Sequence, residues 1–471
     1  MLNIYKTNRI ELITEVLAKE LLINPPLVTE KLNIPINDYL LAKWMRDQIT
    51  LKNEISALYE FQTLTTYTEE IIRNLSKNKK LKSWNFESIK WGIIESLEEL
   101  GEFNESWPLT NWINKFIKNE KVLNREIHSL SEKIAKVFSD YILYRPEILE
   151  KWDKTDLSSS KLFTGLNKDK YWQPILFKLI EKNKLNKPIC IYMLEIIKNI
   201  YTYKNDIENL LPKNIYIIVT DTLSKLQFKF YSKLSEFTNV KIYLLSPGND
   251  LWNRINIKEG PIKLDKVYTK QNLYPENIEG IFGKSIANFE KLIEEIIFND
   301  ELEVNIKSPY IDPSINKRFD KSPSLLSQIQ KKIVDNNHDK FKINKADESF
   351  ILRRCGNLLK ELEHIKNTIL KICSVDNGIN YKDIVIASTQ YKSIKPYLKY
   401  IFNSDVKIPY FLSIENYKEI SPIYNFIKLV IESANDKITQ NEIHIILSDP
   451  IAQEIFNFND EEKDEIISLI I

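Results

Sequence analysis

Between residues 349 and 387 the chain sets a short apolar run, a long amphipathic helix and a second apolar run in close order, a succession that few folds accept. Phe350, Ile351 and Leu352 predict a strand. Leu358, Leu359, Leu362, Ile365, Ile369 and Ile372 then recur at helical spacing, with Lys360, Glu361, Glu363 and Lys366 on the opposite face. Gly378 breaks the helix, and Asp383, Ile384, Val385, Ile386 and Ala387 predict a second strand. A helical crossover returns the chain in the same direction, so the two strands are expected to run parallel. A nucleotide-binding unit of this shape carries a glycine-rich loop after its strand. Here Arg353, Arg354 and Cys355 stand in that place with one glycine, Gly356.

The same alternation opens the chain. Leu2, Asn3, Ile4 and Tyr5 predict a strand, Thr7 or Asn8 a helix cap, and Ile10, Leu12, Ile13, Val16, Leu17 and Leu21 the apolar face of a helix. A second strand is expected over residues 31–36. It gives way to Asn37, Asp38 and Tyr39 and then to a helix with Leu41, Trp44, Met45 and Ile49 inward. Strands over residues 215–219 and 240–245 flank a further helix. Between these α/β stretches the periodicity is helical, with Trp91, Leu97, Leu100, Trp107, Trp112, Phe116, Ile134, Val137, Phe138 and Tyr141 spaced for buried faces.

The predicted organisation is an α/β domain over residues 1–68 and 201–298, interrupted by a helical insertion over 69–200. A polar linker containing Pro309, Pro313 and Pro323 is expected over 299–348, and a second α/β domain over 349–415. Residues 416–471 read as the start of a helical domain that looks cut.

Composition narrows the partners little. Sixty-six basic residues face 65 acidic ones, so any nucleic-acid surface must be local, and only nine of the 66 are Arg. Cys190, Cys355 and Cys373 are far apart and odd in number, and the four histidines share no metal-ligand spacing with them. No apolar run reaches the 18 or so residues of a membrane span, and the N-terminus lacks the pattern of a signal peptide, so a cytoplasmic protein without a membrane partner is expected.

Two catalytic signatures are tested by spacing and fail. Gly283, Lys284 and Ser285 look like the end of a phosphate loop, but the glycine required five positions earlier is Ile278, and Gly280 is too close. The competing reading is a helix start. Metal-dependent nucleases of the relevant kind place Asp directly after Pro, and none of the 18 prolines is followed by Asp. Tyr39, Trp44 and Tyr67 beside Lys43 offer stacking next to a charge, the chemistry of a single-strand channel. Against this, Trp44 also sits at core spacing with Leu41 and Met45.

Several separated landmarks resemble one family. They are Thr7, Asn8 and Arg9 after the first strand; Leu41, Ala42, Lys43 and Trp44; Phe138, Ser139, Asp140 and Tyr141 through Tyr144, Arg145 and Pro146 to Trp152; Tyr171, Trp172, Gln173 and Pro174; Phe282, Gly283 and Lys284; and Asp383, Ile384 and Val385. Together they resemble the N-terminal half of the RecC family, the gamma subunit of exodeoxyribonuclease V. The resemblance implies an inactive superfamily-one helicase-like fold, with parallel sheets of the P-loop NTPase kind and a large helical insertion, lacking the ATPase residues. It implies a subunit that holds RecB and RecD together, splits double-stranded DNA ends and channels single-stranded DNA in double-strand break repair by homologous recombination. No cofactor is expected in this chain; ATP and Mg belong to the partner subunits. By family position Asn37, Tyr39, Lys43 and Trp44 fall on the loop and helix linked with recognition of a regulatory hotspot, and Arg125 on a helix facing the strand. Asn37, Tyr39 and Lys43 depart from the family's residues there. The alternatives are a scaffold that only binds other proteins, and a true ATP-driven motor, which the absent phosphate loop opposes.

Overall fold

The computed structural model describes residues 1–26, 31–77, 83–100, 102–103, 107–115, 120–183, 187–248, 283–314, 323–335, 344, 346–374, 378–412, 421–435, 439–457, 459, 462–463, 465–466 and 468. The chain divides into two compact units, Met1–Phe350 and Ile351–Ile471.

In the first unit, β1 (Leu2–Thr7) lies between β5 (Asn239–Leu245) and β6 (Val304–Lys307), and β4 (Asn214–Val219) flanks β5, giving a four-stranded parallel sheet in the order β4-β5-β1-β6. Strands from both sides of the helical stretch therefore share one sheet. A short parallel pair, β2 (Leu32–Pro35) and β3 (Tyr59–Gln62), runs beside β4. β3 escaped the sequence reading because its four residues are half polar.

Alternation along each strand sorts the side chains onto two covered faces. Leu2 and Ile4, with Ile215, Ile217 and Val219 of β4 and Val240, Ile242 and Leu244 of β5, face one layer. That layer contains α3 (Leu64–Leu75), α11 (Lys225–Leu234) and α12 (Lys284–Asn299). Tyr216, Ile218 and Tyr243 face the other, against α1 (Ile10–Ile23) and α2 (Tyr39–Asn53). Leu2 and Ile4 are wholly buried, a contribution of about 1.5–3 kcal/mol each by burial alone.

Residue chemistry sets the helix starts. Asp38 caps α2, its carboxylate accepting from the amides of Leu40 at 2.9 Å and Leu41 at 3.0 Å. Thr63 caps α3, and Ser224 with Gln227 forms a reciprocal capping box at α11. Arg9 rather than Thr7 or Asn8 holds the cap position of α1, without a side-chain cap bond; the Asn8 side chain is bonded to Ile311, and the Thr7 hydroxyl accepts from the Arg9 amide.

The intervening helices are α4 (Phe86–Leu100), α5 (Trp107–Asn114), α6 (Glu120–Tyr144), α7 (Pro146–Asp153), α8 (Trp172–Asn183), α9 (Ile189–Lys198) and α10 (Lys204–Leu210). The two aromatic landmarks of this stretch meet. Tyr141 donates to Gln173 at 3.1 Å, and Trp152 packs edge-on to Tyr141 and against Phe177. Pro146 opens α7, where its missing amide costs nothing. Leu97, Leu100, Ile134 and Phe138 are buried as expected, but Trp91 is 51% exposed and Val137 lies on the surface. Phe116 lies outside the described residues.

The stretch expected as a polar linker, residues 299–348, contains regular elements. It supplies β6, which pairs with β1, and α13 (Leu325–Asp335), whose first amide donates to Asp347 at 2.7 Å. Backbone pairing with β1 overrides the polar composition.

The second unit packs α14 (Leu358–Ser374) against α15 (Tyr391–Asn403), with Leu362, Ile369, Leu398, Ile401, Phe402 and Ile408 in its core. It also contains α16 (Pro422–Asn435), α17 (Gln440–Leu447) and α18 (Pro450–Phe456). The expected strands at 350–352 and 383–387 do not form, and residues 407–412 are likewise irregular. Among the described residues no neighbouring strand completes their ladders, and an apolar run without a ladder is not a strand. No helix among the described residues is long and apolar enough to cross a membrane. The three cysteines are unbridged; burial pushes the Cys190 thiol up to about 12.

Candidate functional site

In an open parallel sheet the ends of the strands where the carbonyls emerge form the usual ligand crevice. Here that edge is occupied by the chain's own residues. β1 ends at Thr7 and α1 begins at Ile10, so the connecting turn consists of Asn8 and Arg9. A phosphate loop needs a longer, glycine-rich turn with free backbone amides. In this turn the Arg9 amide donates to Thr7 Oγ1 at 3.3 Å. Asn8 Nδ2 donates to the Ile311 carbonyl at 2.8 Å, and Asn8 Oδ1 accepts from the Ile311 amide at 3.0 Å.

The segment after β6 is thereby tied down at several points. Tyr310 donates its hydroxyl to the Gly248 carbonyl at 2.9 Å, and the Asp312 carboxylate accepts from Lys331 at 2.7 Å and from Ser314 Oγ at 2.6 Å. The Lys331 ammonium, helped by Ser314, brings the Asp312 carboxyl down to about 2. At the base of this edge lies a buried polar group: Lys6 and Glu290 stand 3.6 Å apart, at 6% and 0% side-chain exposure, and Ser246 donates to Glu290 at 2.7 Å. Sequence reasoning missed this group. Its legible signal was a lysine in phase with Leu2 and Ile4, on the buried face of β1.

The candidate DNA-contact residues fall in two places. Asn37 is exposed and accepts from the Leu64 amide at 3.3 Å, joining the end of β2 to the start of α3. Tyr39 is the first residue of α2, with its side chain outside the described residues. Lys43 is exposed and makes no hydrogen bond or ion pair among the described residues, whereas Trp44 is partly buried against the α1 and α2 core. Tyr67 is no stacking platform: it is buried in α3, and burial raises its phenol well above the ordinary range. Arg125 is exposed on α6, in the helical stretch. The structure thus places Asn37, Lys43 and Trp44 at and just inside the start of α2, and Arg125 on α6.

Gly283 is buried at the cap position of α12, the helix start that competes with the phosphate-loop reading; Phe282 lies outside the described residues. Arg145 acts through its backbone, its amide donating to the Tyr141 carbonyl at 2.9 Å, while its side chain is exposed. A cleft of about 610 Å³ beside β6 is lined by Tyr5, Lys19, Glu20, Lys307 and Pro309. Among the described residues no group of three or more His, Cys, Asp or Glu is placed to hold a metal ion.

The family model described as RecC, N-terminal domain, matches residues 2–336. The RecBCD enzyme subunit RecC of Buchnera aphidicola subsp. Baizongia pistaciae is 25% identical over 504 residues, covering 100% of this chain and 43% of the relative. That of Haemophilus influenzae is 20% identical over 507 residues, covering 98% and 45%. That of Escherichia coli strain K12 is 20% identical over 513 residues, covering 98% and 44%. The chain spans less than half the length of these curated RecC relatives.

Proposed function

The chain belongs to the RecC family, and from that premise we propose that it is a non-catalytic, DNA-handling scaffold subunit of a RecBCD-type helicase and nuclease acting in recombinational double-strand break repair. The observation that carries the non-catalytic part is the two-residue turn between β1 and α1 at the carboxyl end of the central strand, which has no glycine and whose Asn8 side chain is bonded to the Ile311 backbone. On this reading the fold is an inactive superfamily-one helicase, with its ATP, Mg and chemistry in RecB and RecD.

The proposed DNA surface is the start of α2. Lys43 offers an ammonium to a phosphate, Asn37 is exposed at the preceding loop, and Tyr39 opens the helix. Trp44 serves mainly as the packing that fixes this turn, since it lies against the α1 and α2 core. Arg125 is a separate contact along the path of a displaced strand.

An interaction-only scaffold is the second reading, favoured by the near-zero net charge of +1 and by the apolar surface of the second unit. An ATP hydrolysis assay on the purified chain tests the non-catalytic reading. No turnover is expected; turnover abolished by Lys284→Ala would overturn it.

A further inference from the structure

The amino ends of β2 and β4 lie away from the start of α2, and between them is a cleft of about 280 Å³. Its buried lining is Tyr67 and Ile71 of α3 with Leu211, which precedes β4. Its exposed lining is polar, with Glu70, Asn74 and Asn209.

Two polar groups of this cleft are left without a partner. Glu70 Oε2 accepts from Asn33 Nδ2 and from Gln62 Nε2, each at 3.2 Å, so strands β2 and β3 orient the carboxylate with neutral amides. Among the described residues Glu70 Oε1 accepts no hydrogen bond, and the carboxylate has no cation. Lys31, the lysine of the lining, is ion-paired with Glu60 instead. Tyr67 is only 4% exposed, and its hydroxyl makes no hydrogen bond among the described residues. Burial, and after it the Glu70 charge, raises this phenol, so the hydroxyl stays protonated at neutral pH.

We propose that this cleft takes the guanidinium side chain of one arginine residue presented by a partner polypeptide. A carboxylate held by neutral donors keeps its full charge, and a charge-assisted bond to its free oxygen is of the strong kind. That charge repels a phosphate and selects a cation. Guanidinium suits the place better than ammonium: it is flat, weakly hydrated, and carries five donors in a fixed fork for the Glu70 carboxylate and the Tyr67 oxygen together. Its methylene stem lies along Ile71 and Leu211. The volume falls just below the range of about 300–1,000 Å³ typical of small-molecule sites and suits a single anchoring side chain, a part that arginine often plays at interfaces.

The full 471-residue chain, with isotope-labelled Ile and Leu methyls, is titrated with N-acetyl-L-arginine N-methylamide at constant ionic strength, and the methyl shifts of Ile71 and Leu211 are followed by NMR. Saturable shifts are expected with a Kd of about 1–10 mM, as fits one side chain alone. The citrulline analogue, equal in shape but uncharged, binds at least about tenfold more weakly. Glu70→Gln weakens the arginine probe by a similar factor, and Tyr67→Phe by about threefold, while both variants keep the fold because Glu70 is exposed and the Tyr67 hydroxyl bonds nothing else. Absence of saturable shifts, equal binding of the citrulline analogue, or unchanged affinity in either variant overturns the proposal. Free L-arginine binding more tightly than the blocked probe overturns its polypeptide source.

Discussion

Asn8 and Ile311, three hundred residues apart in sequence, exchange two hydrogen bonds, the Asn8 side chain both donating to and accepting from the Ile311 backbone. The pairing mimics one rung of a β-ladder and closes the edge of the sheet with a side-chain amide. Asn8→Ala removes both bonds, each worth about 1 kcal/mol. Limited proteolysis is expected to cut the variant faster within residues 308–314, while Asn8→Gln, whose longer side chain misplaces the amide, gives no rescue. Unchanged cleavage would mean that the segment is held by Tyr310 and Asp312 alone.

Lys6 and Glu290 form a buried pair, and breaking one side leaves a charge without compensation. Glu290→Leu is expected to lower unfolding free energy by about 3–5 kcal/mol in urea titration, whereas the double variant Lys6→Met with Glu290→Leu recovers most of the loss. Equal losses for the single and double variants would contradict this.

The Asp312 carboxyl sits below its ordinary value because Lys331 and Ser314 bond its ionised form. A depressed carboxylate contributes stability above its unfolded pKa and loses it as the pH falls through the folded value. The tether to α13 is therefore expected to hold at neutral pH and to release between about pH 4 and pH 2. Carboxyl titration followed by NMR checks the midpoint, and Asp312→Asn should remove the local transition while leaving the Cys190 environment unchanged.

At the start of α2, Lys43 and Trp44 separate charge from packing. Lys43→Ala is expected to leave stability within about 0.5 kcal/mol and to reduce the salt slope of DNA binding in the complex by about one counterion. Trp44→Ala is expected to cost about 2–3 kcal/mol of stability, less than a fully buried tryptophan, because its side chain is only partly buried. An unchanged salt slope for the Lys43 variant moves the DNA path toward Arg125.

Much of the first unit was legible in the sequence because its strands obey period two with strong apolar contrast: Leu2 and Ile4 point one way and Tyr5 the other. β6 was hidden because Val304–Lys307 is short and alternates weakly within a proline-bearing stretch, its strand state coming from β1 across the ladder. The reverse error arose at 350–352 and 383–387, where apolar composition was strong but no neighbour among the described residues makes the backbone bonds. Composition reports the tendency to be buried; only a partner strand satisfies the amides. Trp91 misled for a related reason, since helical spacing shows which residues share a face but not whether that face is covered. Of the candidate site, spacing carries the expectation that no phosphate loop is present, whereas Asn8–Ile311 and Lys6–Glu290 join residues too distant in sequence for spacing to reveal.

Handling DNA ends without performing chemistry on them is the role proposed for this chain. Its most direct test is a fluorescence anisotropy titration of a forked DNA end with RecB, in the presence and absence of the purified 471-residue chain. At least about tenfold tighter binding is predicted when the chain is present, with a steeper salt dependence that Lys43→Ala partly removes. Identical affinity and salt slope with and without the chain would contradict it.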